Sequence, residues 1–386
     1  MKTVRTILKT LFLCALLGFQ GLGHTAQKPD IPLPAPPQLA SPSYLLMDHH
    51  SGVELVAENA DQRMEPASLT KMMTVYAVFS ELNSGDLSME EEIRVSERAW
   101  RAEGSRMFIE VDTRVTVREL LFGVIVQSGN DASIALAETI AGDEQTFAQL
   151  MNQYAERLGM TGTHYVNATG LPHPEHYTTA RDTARLARAL IRDFPELYKL
   201  FAEKTYTYND ITQHNRNALL WRDPSVDGLK TGHTESAGYC LTTSAKREDM
   251  RLIAVVMGAE SEDARADQNQ ALLNYGFRFF ETHRLYAAGE ALTQAEVWKG
   301  AADTVGLGLT RDLFVTIPQR RYDDLEASMS VDKMIVAPVQ QGQRYGDVTV
   351  TLEGSTVATA PLVAVSAVEE GNLWQRLVDE ALLLFQ

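Results

Sequence analysis

Cysteine is nearly missing from this chain: Cys14 and Cys240 are the two among 386 residues. A disulfide-built scaffold is therefore excluded, and the fold must rest on packed apolar cores. Basic charge is also short, with 35 Lys+Arg against 51 Asp+Glu, a formal net charge of −16. That balance leaves no electrostatic case for a nucleic-acid partner. The nine histidines show no metal-ligand spacing and neither cysteine has companions for a zinc site, so no metal or other cofactor is expected. Long hydrophobic runs are missing too. The longest near the start, Leu11 to Phe19, is too short to span a bilayer comfortably.

That run does have a meaning in context. Lys2, Arg5 and Lys9 precede it and small residues succeed it as far as Ala26, the order of a cleaved secretory signal. Residues 1–26 are read as such a signal, which makes the protein exported. Its removal takes Lys+Arg from 35 to 32 against 51 Asp+Glu, moving the net charge from −16 to −19. Cys14 does not suit a lipoprotein reading, because Phe12 and Leu13 stand where small residues are needed. Of 14 prolines, five lie in Lys28–Pro37, so residues 27–41 read as an extended tether.

The chain beyond the tether is long enough for two domains. The stretch Ser43 to Ala57 has the pattern of a hairpin turning at Gly52; helical patterns run Leu69–Phe79, Val117–Val126 and Ala132–Ile140; Tyr239–Ala245 and Leu252–Gly258 read as strands. This order predicts one mixed α/β domain over 42–284, with a sheet drawn from both ends of the segment. Residues 285–368 alternate in short runs such as Phe314-Val-Thr-Ile, predicting a small all-β domain. Residues 369–386 become helical again. Apolar residues there fall at 373, 374, 377, 378, 381, 382, 384 and 385, lining one face, with Arg376, Asp379 and Glu380 opposite. Such a segment can lie in a membrane interface without crossing it, or pack on the β domain.

Three short motifs carry chemistry: Ser68-Leu-Thr-Lys71, Ser128-Gly-Asn130 and Lys230-Thr-Gly232. On a helix, Ser68 and Lys71 share a face about one turn apart. A serine hydroxyl needs a base to become a nucleophile, and a lysine desolvated by Met72, Met73, Val75, Ala77, Val78 and Phe79 can be that base. Alone, the pattern reads equally as a helix-start serine with a snorkelling lysine, and Ser330-Val-Asp-Lys333 repeats it within β-patterned sequence. Ser128-Gly-Asn130 interrupts two apolar helical stretches, either capping the second or serving a cleft. Gly232 allows an extended peptide to lie along a sheet edge, where Lys230 and Thr231 can meet its carboxylate.

The ordered trio, a set shared by penicillin-binding proteins and class A β-lactamases, resembles the low-molecular-weight D-alanyl-D-alanine carboxypeptidases. The similarity runs through Glu65-Pro-Ala-Ser-Leu-Thr-Lys-Met-Met-Thr, Gln127-Ser-Gly-Asn-Asp-Ala, Asn215-Arg-Asn-Ala-Leu-Leu-Trp and Val226-Asp-Gly-Leu-Lys-Thr-Gly-His-Thr. It continues in Arg251-Leu-Ile-Ala-Val-Val-Met-Gly and Gly276-Phe-Arg-Phe-Phe-Glu.

The resemblance implies a penicillin-binding, β-lactamase-like α+β domain with a mainly antiparallel sheet, a second β domain and an amphipathic C-terminal helix. It implies removal of the terminal D-alanine from peptidoglycan stem peptides, β-lactams as covalent inhibitors, and residence on the periplasmic side of the inner membrane. Ser68 would be acylated, Lys71 would be the base, and Ser128 and Asn130 would complete the cleft. Lys230, Thr231, Gly232, His233 and Arg265 would bind substrate. The backbone N–H groups of Ser68 and a residue near His233 would form an oxyanion hole, and Asp182 with Arg216 a loop-anchoring pair. Thr169 stands where some relatives carry histidine, which puts that loop's contacts in question. A class A β-lactamase would need Glu-x-x-x-Asn between Asn130 and Lys230, and the sequence has none there. The remaining alternative, a non-catalytic scaffold of the same fold, runs against the intact Ser68, Lys71 and Lys230.

Overall fold

A computed structural model describes residues 33–383. The expected signal, the first part of the tether and the last three residues lie outside that range. An antiparallel sheet of five strands organises the first domain: β1 (Ser43–Asp48), β2 (Glu54–Glu58), β3 (Val226–Thr234), β4 (Gly238–Arg247) and β5 (Met250–Ala259), in the order β2-β1-β5-β4-β3. The first two strands thus meet the last three across most of the segment, as the sequence order predicts.

Both faces of this sheet are covered. Along β1 and β5, Leu45, Met47, Ile253, Val255 and Met257 enter one apolar cluster, while Leu46, Leu252, Ala254 and Val256 enter the other. Successive side chains of a strand point to opposite faces, so a strand buried on both sides reads as an unbroken apolar run. α1 (Lys71–Ser84) runs through the larger cluster, with every residue from Lys71 to Phe79 buried. A helix apolar all round belongs in an interior, and its first residue takes a lysine there.

Around α1 stand the short α2 (Glu97–Trp100), α3 (Val117–Phe122), α4 (Asn130–Ala141), α5 (Glu144–Arg157) and α6 (Ala180–Asp193). Helix α7 (Glu262–Phe279) covers the opposite face of the sheet through Leu272 and Leu273. The predicted helix over Val117–Val126 ends early. After Phe122 the backbone widens into a π-turn, Gly123–Gln127, and leaves Ser128 in a left-handed conformation with φ 65°. Such widened turns recur at functional sites.

The C-terminal all-β domain begins at once: α7 passes directly into β6 (Phe280–Tyr286). With β7 (Ala291–Trp298), β8 (Thr304–Gly308), β9 (Leu313–Pro318), β10 (Leu325–Val331), β11 (Ile335–Val336), β12 (Arg344–Leu352) and β13 (Ser355–Ala364), it forms a pair β6-β9 and a sheet ordered β10-β12-β13-β8-β7-β11. The domain has its own apolar cluster, including Val297, Leu307, Ile317, Val348 and Leu362. Ser330-Val-Asp-Lys333 lies at the end of edge strand β10, without the helical spacing that would set serine and lysine on one face.

α8 (Leu373–Leu383) closes the described chain. Asn372 and Gln375 cap it reciprocally, each side chain accepting from the other's backbone N–H. Its polar side is held by the β domain. Asp379 accepts from the Lys299 backbone N–H at 2.5 Å, Glu380 pairs with the Lys299 ammonium, and Arg376 pairs with Glu370 at 2.7 Å. Leu373, Trp374, Leu377, Val378 and Leu382 are left exposed.

Candidate active site

Ser68 lies in a single 3₁₀ turn, Ala67–Thr70, that leads into α1. Ala67, immediately before it, has φ 46°, a conformation that an alanine adopts only when its surroundings hold it there. They do so on two sides. A Cβ on Gly170 would lie 1.8 Å from the Ala67 carbonyl oxygen, and one on Gly232 would lie 2.9 Å from that of Pro66 and 3.2 Å from the Ser68 nitrogen. The Ser68 turn is thus clamped between the 167–170 loop and strand β3, and both contacts require glycine.

Lys71 Nζ is fully buried and has three oxygen neighbours: Ser68 Oγ at 3.0 Å, Asn130 Oδ1 at 2.7 Å and the Thr169 carbonyl at 2.5 Å. The Asn130 Nδ2 donates to the Glu103 carbonyl at 2.6 Å, which turns Oδ1 toward the lysine. Burial, reinforced by the charge of Arg216, brings the Lys71 pKa down to about 7, against the opposing pull of Asp131 and Glu144. Its place at the positive end of α1 acts in the same downward direction. A neutral amine has two N–H bonds and one lone pair. Asn130 Oδ1 and the Thr169 carbonyl can only accept, so they take the two N–H bonds. The lone pair then faces the Ser68 hydroxyl, the arrangement a general base needs.

Ser128 Oγ is buried and has no hydrogen-bond partner among the described residues. It does not cap α4; Gly129 holds that position. On β3, Lys230 is buried and its amine donates to the Thr231 carbonyl at 3.1 Å. Burial first, then Lys71, Arg216 and Arg265, hold its pKa well below the usual lysine value. Arg265, buried on α7, donates to the Gly232 carbonyl at 3.3 Å and lies over the Tyr239 ring, on which exposed His233 also stacks at 4.0 Å. Two arginines, Arg216 and Arg265, thus stand with the two buried lysines in a chain that is acidic as a whole, a local basic field suited to a carboxylate.

One sequence expectation needs correction. Asp182 and Arg216 do not pair. The Asp182 carboxylate, buried in the first turn of α6, accepts from Gly162 N at 2.7 Å and Thr163 Oγ1 at 2.8 Å, and its ion-pair partner is Arg185 at 3.0 Å. A residue three positions along the same helix reaches Asp182 more readily than one from a separate loop. Asp182 still ties down a loop; Arg216 instead is exposed and acts on Lys71 and Lys230 through its charge.

Three buried groups escape sequence reasoning. Asp131 accepts from the backbone N–H groups of Met107 (3.0 Å), Phe108 (2.8 Å) and Ile109 (3.3 Å), fixing the loop beside Asn130. Its charge within an apolar helix was a readable signal. His176 accepts from Val166 N through Nδ1 and therefore donates through Nε2 to Thr70 Oγ1 at 2.7 Å; burial lowers its pKa to about 4. Glu144 accepts from Ala168 N at 3.0 Å, and nothing in its sequence context marks it.

The profile of the D-alanyl-D-alanine carboxypeptidases matches residues 31–261, and that of the penicillin-binding protein 5 C-terminal domain matches residues 280–370. The chain belongs to the D-alanyl-D-alanine carboxypeptidases. It is 40% identical over 361 residues to the D-alanyl-D-alanine carboxypeptidase DacA of Escherichia coli K12, covering 92% of this chain and 90% of the relative. The crystal structure of penicillin-binding protein 5 from Haemophilus influenzae superposes with a TM-score of 0.84 at 42% identity, over 87% of this chain and 100% of that one. Penicillin-binding protein D2 from Listeria monocytogenes, in an ampicillin-bound form, matches with a TM-score of 0.58 at 30% identity, over 62% of this chain and 100% of that one. This carboxypeptidase is accordingly a serine-type hydrolase of that family, and the β-lactamase and scaffold readings fall away.

Proposed function

We propose that the carboxypeptidase cleaves the terminal D-alanine from peptidoglycan stem peptides through an acyl-enzyme on Ser68, with Lys71 as the base. The lone pair of Lys71, directed at Ser68 by two pure acceptors, carries this reading. In the acylation step Ser68 Oγ attacks the penultimate carbonyl carbon as its proton passes to Lys71. The backbone N–H groups of Ser68 and a residue near His233 meet the developing oxyanion. The peptide C–N bond then breaks, and the departing amine of D-alanine takes a proton, for which the unpartnered Ser128 hydroxyl is a relay. Thr231, Lys230 and Arg265 supply hydroxyl and charge for the substrate's C-terminal carboxylate, and the backbone along Gly232 pairs with the extended peptide. Water ends the cycle by releasing the shortened peptide.

A β-lactam presents a strained amide and a carboxylate to the same groups, and the ampicillin-bound relative supports β-lactam binding here; acylation of Ser68 would make the inhibition covalent. The test is intact-protein mass spectrometry after mixing with penicillin. One drug mass per chain is expected, absent from Ser68→Ala. Adduct that persists in that variant, or that maps to Ser330, removes the assignment.

Placement rests on the ends of the chain. The charged, apolar and small-residue order of residues 1–26 supports export, with signal removal before the tether. The exposed apolar face of α8 supports peripheral attachment to the outer leaflet of the inner membrane. Among the described residues no helix is long and apolar enough to cross a membrane.

A further inference from the structure

Glu144 opens α5 directly after its cap residue Asp143, and its side chain is only 10% exposed. One carboxylate oxygen accepts from Ala168 N at 3.0 Å, and the other accepts from Arg98 on α2 at 2.5 Å. The carbonyl of the same Ala168 accepts from Thr74 Oγ1 of α1 at 2.7 Å. Ala168 is therefore held on both sides, by a helix behind the loop and by the helix that carries Lys71. The next carbonyl, that of Thr169, is the one in contact with Lys71 Nζ. Asn167 Oδ1 gathers the next two N–H groups, Thr169 at 3.1 Å and Gly170 at 2.7 Å, so the loop itself has little freedom to drift from this anchor.

From this geometry we infer that Glu144 is a positioning residue for the base: its carboxylate, steadied by Arg98, holds the Ala168 peptide so that the Thr169 carbonyl stays against the Lys71 amine. The inference rests on the reading of Lys71 as the base. Position and charge act together. The groups facing Lys71 are Asp131 from α4, Glu144 from α5, Arg216 from the loop before Leu219, Lys230 from β3 and His176 from the loop before α6. Of the two acids, Glu144 is the one that also holds the loop on the far side of the amine. Removing its charge leaves the protonated lysine less favoured, so the neutral, reactive form extends to lower pH. Removing its acceptor oxygen as well frees the Ala168 peptide.

The experiment measures the rate of Ser68 acylation by penicillin against pH for the full chain, for Glu144→Gln and for Glu144→Ala. Glutamine keeps an acceptor for Ala168 N, so its plateau is expected within about twofold of the parent, while its acid limb moves to lower pH. Alanine is expected to show the same limb shift with a plateau about tenfold lower, the cost of a loosely held base. A general loss of fold would lower amplitudes without moving the limb. The inference is overturned if Glu144→Ala reaches the parent plateau, or if the limb stays in place in both variants. Should the alanine protein not fold, Glu144→Met, which keeps the bulk of the side chain without an acceptor for Ala168 N, takes its place and is expected to show the same lowered plateau, a parent plateau there overturning the inference. Lys71→Ala in parallel separates the two readings. Near-normal acylation there refutes Lys71 as base, whereas its loss beside unaltered Glu144 variants refutes this inference only.

Discussion

Lys71, the base of the proposed mechanism, shows how burial gives one residue a chemistry its type does not have in water. An exposed lysine is protonated at neutral pH and cannot accept a proton; burial at the head of an apolar helix brings its pKa to about 7. The rate of Ser68 acylation should therefore rise with pH through about 7 and level off above it, because the reactive form is the deprotonated one. For stability the sign is opposite to that of a paired lysine. The folded pKa lies below the unfolded one, so the unfolded chain takes up the proton first: this group's contribution to stability falls as pH drops from about 10.5 towards about 7, and is flat below that. Lys71→Ala should lose about 10²–10⁴-fold in acylation while melting as a folded protein; a folded variant that acylates at near-parent rates would be the contrary result. The lysine and its serine were legible in the sequence because both are side chains at fixed helical spacing. The third contact was not, since it is a backbone carbonyl from a loop far along the chain. That also answers the question over position 169: the carbonyl meets Lys71, while the Thr169 side chain turns to Asn167.

Elements carry the next level of order. The strand Leu252–Gly258 was legible because a doubly covered strand concentrates apolar residues; Tyr239–Ala245, with Thr242, Thr243 and Ser244 in its middle, was legible through its partner across the polar turn, and each extends slightly further than its pattern, as β5 and β4. The early end of α3 was not, because Gly123-Val-Ile-Val suits a regular helix as well as a π-turn. The position of Asn130 is set by the loop tied to α4 through Asp131. Asp131→Ala would leave the Met107, Phe108 and Ile109 N–H groups without their carboxylate, at a cost of about 3 kcal/mol. A clear drop in Tm together with slowed acylation is expected. An unchanged melt would mean that the loop holds itself. The mispaired Asp182 and Arg216 illustrate the limit of motif reading: partners on one helix can be deduced from spacing, but partners between loops depend on a path through space that spacing does not encode.

At the scale of the molecule, two domains meet through polar contacts. Asp48, at the end of β1 where the hairpin turns, accepts from Ser51 and from Thr282 on β6, and Ser51 in turn meets Thr316 on β9. Arg188 of α6 braces the same turn by donating to the His49 and His50 carbonyls. At the far end α8 keeps its polar side on the β domain and its apolar side outward. The sequence left open whether this helix packs or faces a membrane; the geometry allows one face for each. Truncation after Val368 should leave hydrolysis of a soluble peptide unchanged and shift the protein from the membrane to the soluble fraction, largely regardless of salt, because the attachment is apolar. Equal partitioning of the active long and short chains would contradict this.

The register of the central sheet has one more consequence. Cys240 on β4 sits opposite Gly232 on β3, fully buried, with burial pushing its thiol pKa up to about 11. An alkylating reagent needs both access and a thiolate; the closed fold withholds both, so reaction waits on an opening of the structure around β4. The protein thus contains its own stopwatch for the breathing of the sheet beside the candidate active site. The pace at which the thiol is consumed counts those openings, and a ligand seated along β3 should slow the count without any label having been engineered in.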